Sequence, residues 1–542
     1  MTDVTEQAQR DPSVGDGAVN GRDAGPGIGP DGAGTATHRR RPRLEGTRAD
    51  LAILAGLLAA LAFLWGRGRQ VWFWIDEGIA VGVASQPLAE IPTSLRLDGS
   101  PPLYYFLLHV WMSLFGTSEA ATHTLSLLFA LAVVPAALWA GWSLFGRRAG
   151  WMAALLAALN PFIAVYANET RMYSLVTLLG LLVTATFLHA FVFGRRRYLP
   201  AFVLVLTLLV YTHSWGLFLG AGAAAALLPC IAVGPDRRRT VIDAVLAFGA
   251  VGLLYLPWVP TLLYQVAHDP NPWSRRPTLV GLREAVSFAF GGREAVVAMG
   301  VGGFAALVAI LKRPSSRTAL AVITMLVLPV VVLAGGWASA VWGYRYLGVV
   351  VPPLVLVVAL GLARGGNLAV TAVVLLALFN APLGVKVPPY QKSNAQQVAQ
   401  EAADELRPGD LVISPDYSQI PLLAYYLPPG LRYAGAHGPV DDVRVTDWRD
   451  SLERMRNSRP AEALPPLIDS LPVGGNVLMM CPDLSLTPDL VEFHQLVQQY
   501  CTEIEALLRA DGRLRLETTI EAPDGVDLTP FDGWLFTKVT GG

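Results

Sequence analysis

The chain has 542 residues, of which 53% are hydrophobic and only 15% charged, with 14 Trp and a mean hydropathy of +0.44. That excludes an ordinary soluble protein of this size and indicates a polytopic α-helical membrane protein. The net charge of -1 says little about partners, because Arg clusters lie between apolar runs while most acids lie beyond residue 385. The bilayer is an expected partner; a nucleic acid is not.

Three domains are predicted: a tail at 1–48, a transmembrane domain at 49–385 and a soluble α/β domain at 386–542. The tail is rich in Gly, Asp and Ala, lacks aromatics and ends in "THRRRPRLEGTR". Such a segment cannot bury enough apolar surface to order itself, so a disordered cytoplasmic tail is expected. Its basic cluster lies too far from the start for a signal peptide.

Apolar stretches near the ~20-residue spanning length follow at 51–66, 121–145, 151–166, 173–193, 199–212, 216–233, 241–259, 296–311, 319–336, 347–363 and 368–385, about eleven helices in all. Basic groups at "HRRRPR", "GRRAG", "GRRRY", "DRRRT", "KRPSSR" and "LARGG" recur after every second span. The positive-inside rule places them, with the N-terminus, in the cytoplasm. Counting "PPLYYFLLHVWMSLFG", 101–116, as a crossing would break this alternation. Its modest length and its Tyr, Trp and His content predict an interfacial or re-entrant helix instead. The outer face then collects "WIDEG", "LDGSPPLYY", "YANETRMYSL", "YTHSWG", "AHDPNPWSRRP" and "WGYRYL", and chemistry or binding is expected there.

Asp76 and Glu77 follow three aromatics at a membrane surface, where ionised carboxylates need water or a partner. Consecutive helical residues diverge by about 100°, so one of the two is expected to face a pocket and the other to cap the helix in solvent.

"WIDEG", "LDGSPPLYYFLLHVWMSLFGTSE", "GRRAGWMAALLAALNPFIAVYANETRMYSL" and "YRYLGVVVPPLVL" occur in that order over about 72–356. This ordered set resembles the GT-C class of membrane glycosyltransferases, in particular the family containing protein O-mannosyltransferases and lipid A aminoarabinose transferases. The resemblance implies a GT-C fold and transfer of a sugar from a polyprenyl-phosphate carrier at the outer membrane surface. It implies an acid in the first outer loop as general base, and Asp76 matches that position. Direct displacement needs one carboxylate to take the acceptor proton and cations to stabilise the leaving phosphate.

Glu169 is the expected second catalytic acid, although relatives often carry theirs nearer to Tyr173. Candidate substrate-binding residues are Glu77, Asp98, Tyr104, Tyr105, His109, Arg171, Tyr173, His213 and Arg345. Arg345, opening an outward helix end, offers a permanently charged fork for phosphate; snorkelling beside Tyr344 and Tyr346 is the structural alternative. His213 stands where relatives often have a basic residue, commonly Lys, and is either a phosphate contact or a hydrogen-bonded helix-end histidine. Asp98 in "DGSPP" is either a pocket residue or part of a simple turn. The loop at 267–292, with His268, Asp269, Arg275 and Arg276, is a candidate lid. Nothing has metal-ligand spacing, so neither a metal ion nor another cofactor is implied.

Beyond about residue 386, "NAQQVAQEAADELRPGDLVISPD" reads as amphipathic helix, Pro-Gly turn and buried strand, opening a small α/β domain. An odd number of crossings puts it outside the cytoplasm, where a Cys481–Cys501 disulfide is possible. The expected partners are a polyprenyl-phosphate-linked sugar and a cell-envelope glycan, glycolipid or protein acceptor at the plasma membrane, with mannose the commonest sugar in the resemblance. A transporter or flippase of lipid-linked sugars would instead show inverted repeats and ionisable groups near the midplane. A noncatalytic scaffold would need no acids and Arg converging at one face.

Overall fold

The computed structural model describes residues 47–268, 271–293, 317–380, 391–484, 490–523 and 526–541, with scattered positions between 295 and 308. Residues 1–46 of the expected tail, residue 269 and parts of the spans at 296–311 and 368–385 lie outside the described residues, and Thr47 and Arg48 begin the first helix.

Six described helices are long and apolar enough to cross a membrane: Arg48–Gln70, Glu119–Phe145, Tyr173–Val192, Trp215–Val233, Arg237–Ala267 and Arg317–Ser339. Together they make the chain a multi-pass membrane protein. Shorter apolar helices fill the gaps. The stretch expected as one span at 151–166 is instead two helices, Arg147–Ala158 and Pro161–Tyr166. Asn160 divides them: its side chain accepts the Ile163 N–H at 3.1 Å and caps the second helix. Leu103–Phe115 has 13 residues, too few for the ~20 a crossing needs. Leu107, Val110 and Leu114, spaced along one helical face, are exposed.

The basic turns meet at one end of the bundle. Arg147 bonds Asp50 at 2.6 Å, Arg195 donates to the Ser143 carbonyl at 2.9 Å, Arg317 donates to the Phe193 carbonyl at 3.4 Å, and Arg196 forks onto Asp243 at 2.5 and 2.7 Å. These contacts place the described residues of the basic turns side by side at one end of the bundle.

Among the described residues the C-terminal region carries eight strands: β1 (Gln391–Ser393), β2 (Leu411–Ile413), β3 (Arg432–Gly435), β4 (Gly438–Pro439), β5 (Asn476–Pro482), β6 (Leu514–Ile520), β7 (Val526–Thr529) and β8 (Phe531–Lys538). Six form a mixed sheet in the order β4-β3-β2-β5-β8-β6, and β1 pairs with β7. β2 is parallel to β3 and β5, whereas β8 is antiparallel to β5 and β6. The helix Glu492–Ala510 buries Phe493, Val497, Tyr500, Ile504 and Leu508, a 3.6-residue stripe that covers the sheet. Its Cys501 forms a disulfide with Cys481 of β5.

Candidate functional site

The helix Ile75–Ala84 starts directly after an extended Trp74 and carries Asp76 and Glu77 in its first turn. Glu77 Oε2 accepts the Trp74 N–H at 3.4 Å, and both acids complement the helix dipole. Ile91–Asp98 ends at Gly99, whose φ of 96° is the left-handed conformation glycine adopts cheaply. "DGSPP" is therefore a turn, and one that faces a cavity.

That cavity, of about 870 Å³, lies between the membrane helices and the C-terminal domain. Asp76, Asp98, Arg171, Tyr173, His213 and Arg345, drawn from five separate segments, all line it. Arg345 Nη1 approaches Asp76 Oδ2 to 3.3 Å, and Arg171 Nε lies 3.9 Å from the same oxygen. Arg171 also donates to the Asp76 carbonyl at 3.3 Å and to the Tyr105 hydroxyl at 3.1 Å. Arg345 sits over the Trp74 ring at 5.6 Å. His213 Nδ1 accepts the Trp215 N–H at 3.1 Å, and its ring packs against Tyr346 at 4.9 Å.

Several buried polar atoms on this wall have no hydrogen-bond partner among the described residues: Asp76 Oδ2, Asp98 Oδ2, Arg171 Nε, Arg345 Nε, Trp74 Nε1 and Trp215 Nε1. Buried polar groups normally find partners, so donors and acceptors left open around one cavity mark a place prepared for a polar ligand. Leu217, Phe218, Leu262 and Val266 give the same cavity an apolar flank.

Other expected contacts lie elsewhere. Glu77 is not a solvent-facing cap and does not line the cavity: it is fully buried. There it is held by His123 and Lys392, each at 2.6 Å. Burial opposes its charge, yet those partners hold the carboxyl down at about 2. Tyr104 and Tyr105 are buried on the inner face of their helix, and Tyr105 reaches the site through hydrogen bonds with Arg171, Asp98 and Ser100. His109 Nδ1 bonds the Ala84 carbonyl at 2.8 Å and so braces the Ile75–Ala84 helix. Glu169 is buried beside the site, with Oε1 unpartnered among the described residues. Burial pushes its carboxyl up to about 8, with Glu77 and Asp76 adding to the rise against the pull of Lys392. Asp98 is raised too, by burial, against the pull of Arg171.

From the candidate lid, Asn271 and Trp273 line the cavity. Arg276 instead covers the Trp337 ring at 5.5 Å, and the His268 ring stacks on Tyr264 at 4.1 Å. Among the described residues, no three His, Cys, Asp or Glu converge as metal ligands do.

Sequence reasoning missed Trp74, Lys392 and the whole C-terminal wall, where Asp416, Ser418, Gln419, Trp448, Phe493 and His494 close the cavity. The Trp pair beside Asp76 in "VWFWIDEG" was the one available signal for Trp74. Lys392 had none, being 315 residues from Glu77.

No protein-family model matches the sequence, and no curated protein matches it. The structure is similar to that of ArnT from Cupriavidus metallidurans in the apo state, with a TM-score of 0.62 at 14% identity, over 90% of this chain and 98% of ArnT. ArnT from the same organism bound to undecaprenyl phosphate matches with a TM-score of 0.60, at the same identity and coverage. The likeness is one of fold: the chain has the GT-C architecture, membrane helices followed by a C-terminal α/β region.

Proposed function

We propose that the protein is an integral-membrane glycosyltransferase that moves a sugar from a polyprenyl-phosphate carrier to a hydroxyl of a cell-envelope acceptor. The observation that carries this reading is a cavity-facing Asp76 carboxylate set against two half-buried guanidiniums. Asp76 accepts the acceptor's hydroxyl proton as the oxygen attacks the anomeric carbon. The bond from that carbon to phosphate breaks, and its electron pair leaves on polyprenyl phosphate, which Arg345 and Arg171 stabilise. The apolar flank suits an isoprenoid chain, and ArnT, of the same fold, has been seen with undecaprenyl phosphate. Asp98, Tyr173 and His213 line the path of the sugar. Mannose or a related sugar is the donor we favour from the resemblance of the outer motifs.

In this reading the cavity and the C-terminal domain face outward at the plasma membrane. The Cys481–Cys501 disulfide supports that orientation, since such bonds persist in oxidising compartments.

The test is transfer from radiolabelled polyprenyl-phosphate sugars by the purified protein in lipid. Asp76→Asn, close to isosteric, is expected to lower kcat by about 10²–10⁴-fold, the usual worth of a general base. Full transfer by the variant removes Asp76 as base. Movement of lipid-linked sugar across the bilayer without product establishes a transporter instead.

A further inference from the structure

Glu77 stands next to Asp76, and the proposed transfer gives it no part. Its Oε1 accepts from the Thr170 N–H at 2.7 Å and lies 2.6 Å from His123 Nε2, while Lys392 Nζ lies 2.6 Å from Oε2. Lys392 comes from β1 of the C-terminal domain, and its ammonium also donates to the Asn168 carbonyl at 2.8 Å. One cation thus grips two segments. The first carries Asp76, and the second, 167–172, carries Arg171. These are the two side chains that meet in the cavity.

The same domain fastens the backbone on the other side of Asp76. Gln391 Oε1 accepts the Trp72 N–H at 3.0 Å, Tyr426 Oη accepts the Phe73 N–H at 2.8 Å, and Ser393 Oγ donates to the Phe73 carbonyl at 2.5 Å. Residues 72, 73 and 77 are all tied to the C-terminal domain, with Asp76 between them.

A buried ion pair is a weak source of net stability, because desolvation offsets attraction, and its best-attested use is to fix register. Catalysis by positioned groups is sensitive to such register: a shift of about 1 Å can cost about 10²-fold in rate.

We infer that Lys392 is a positioning residue for the transfer, setting Asp76 against Arg171 through Glu77, so that the C-terminal domain is a working part of the catalytic unit. This rests on the reading of Asp76 as base.

The experiment compares full-length wild type, Lys392→Met, Glu77→Gln and the double variant in lipid. Lys392→Met is expected to lower kcat by about 10- to 100-fold with a far smaller change in the donor KM. The double variant is expected to be no worse than the poorer single, because the two act as a unit. Amides at 72–80 are expected to exchange faster with deuterium in Lys392→Met than in wild type. Wild-type kcat in a folded Lys392→Met, or losses that multiply in the double variant, overturns the inference.

Should Lys392→Met fail to fold, Gln391→Ala and Tyr426→Phe loosen the same attachment without burying a lone charge. Both are expected to lower kcat, and wild-type kcat in both overturns the inference. Should the wild type transfer no sugar, the functional reading fails by itself. Amide exchange at 72–80 then decides the clamp, and unchanged protection there refutes it.

Discussion

At Glu169 the balance between burial and pairing comes out differently from the balance at Glu77. Burial raises the Glu169 carboxyl from an ordinary 4.5 to about 8. The folded state therefore binds more protons than the unfolded state between those values. Its contribution to stability is fully present below about 4.5 and is lost as pH rises through about 8. Glu77 runs the other way: burial is overcome by Lys392 and His123, and its contribution is lost only as pH falls through about 2. Over neutral and alkaline pH the two separate cleanly. Glu169→Gln keeps the shape and removes the titration. Its Tm in lipid or detergent is expected to exceed that of the wild type by a margin that widens from roughly pH 6 to pH 9. Parallel pH dependence of Tm in the two proteins would show that the carboxyl does not titrate in that window.

At the scale of elements, the long apolar helices were legible because each needs only length and hydropathy, and the ends they share follow from the order of basic turns. Asp76, Arg171, His213 and Arg345 come together because they sit at helix ends that parity assigns to one surface. Which face of a short helix turns inward was not legible. Tyr104, Tyr105 and His109 lie on a helix apolar nearly all round, where the sequence does not distinguish lipid from protein as neighbour. Docking of the C-terminal domain was equally hidden, since contacts between distant segments leave no local pattern. One such contact makes a prediction at Gly78, where an added Cβ would stand 2.6 Å from Leu422 Cα and 2.8 Å from its backbone nitrogen. Backbone atoms cannot swing aside, so Gly78→Ala must push the Ile75–Ala84 helix off Ile420–Tyr426. A loss of about 1–3 kcal/mol, the usual range for overpacking, is expected together with reduced transfer. Gly56→Ala, at a helical site with nothing within 4 Å, is the control and is expected to hold or slightly raise Tm. Equal Tm and activity in both variants would show that the two helices are not held in close contact.

For the whole molecule the decisive quantity is orientation, because a base at the cytoplasmic surface would face the wrong substrates. Asp50–Arg147, Ser143–Arg195, Phe193–Arg317 and Arg196–Asp243 tie the basic turns together at one end. At the other end Asp76, Arg171 and Arg345 meet, and the C-terminal domain docks through Trp448 N–H to the Leu97 carbonyl at 3.1 Å and Asp450 N–H to the His268 carbonyl at 2.9 Å. Arginine-rich turns favour the cytoplasmic side, so the proposed orientation has the cavity and the domain facing outward, and a disulfide within that domain favours the same side. Two independent arguments, charge and redox, thus make a single prediction. Cys481→Ser frees the thiol of Cys501, which is half-buried, while Cys230 remains buried among the membrane helices. A membrane-impermeant maleimide added to intact cells is expected to label this variant at Cys501 and to leave the wild type unlabelled until reductant is added. Labelling that appears only after permeabilisation would place the domain, and with it Asp76, in the cytoplasm, where the proposed outer-surface transfer cannot occur.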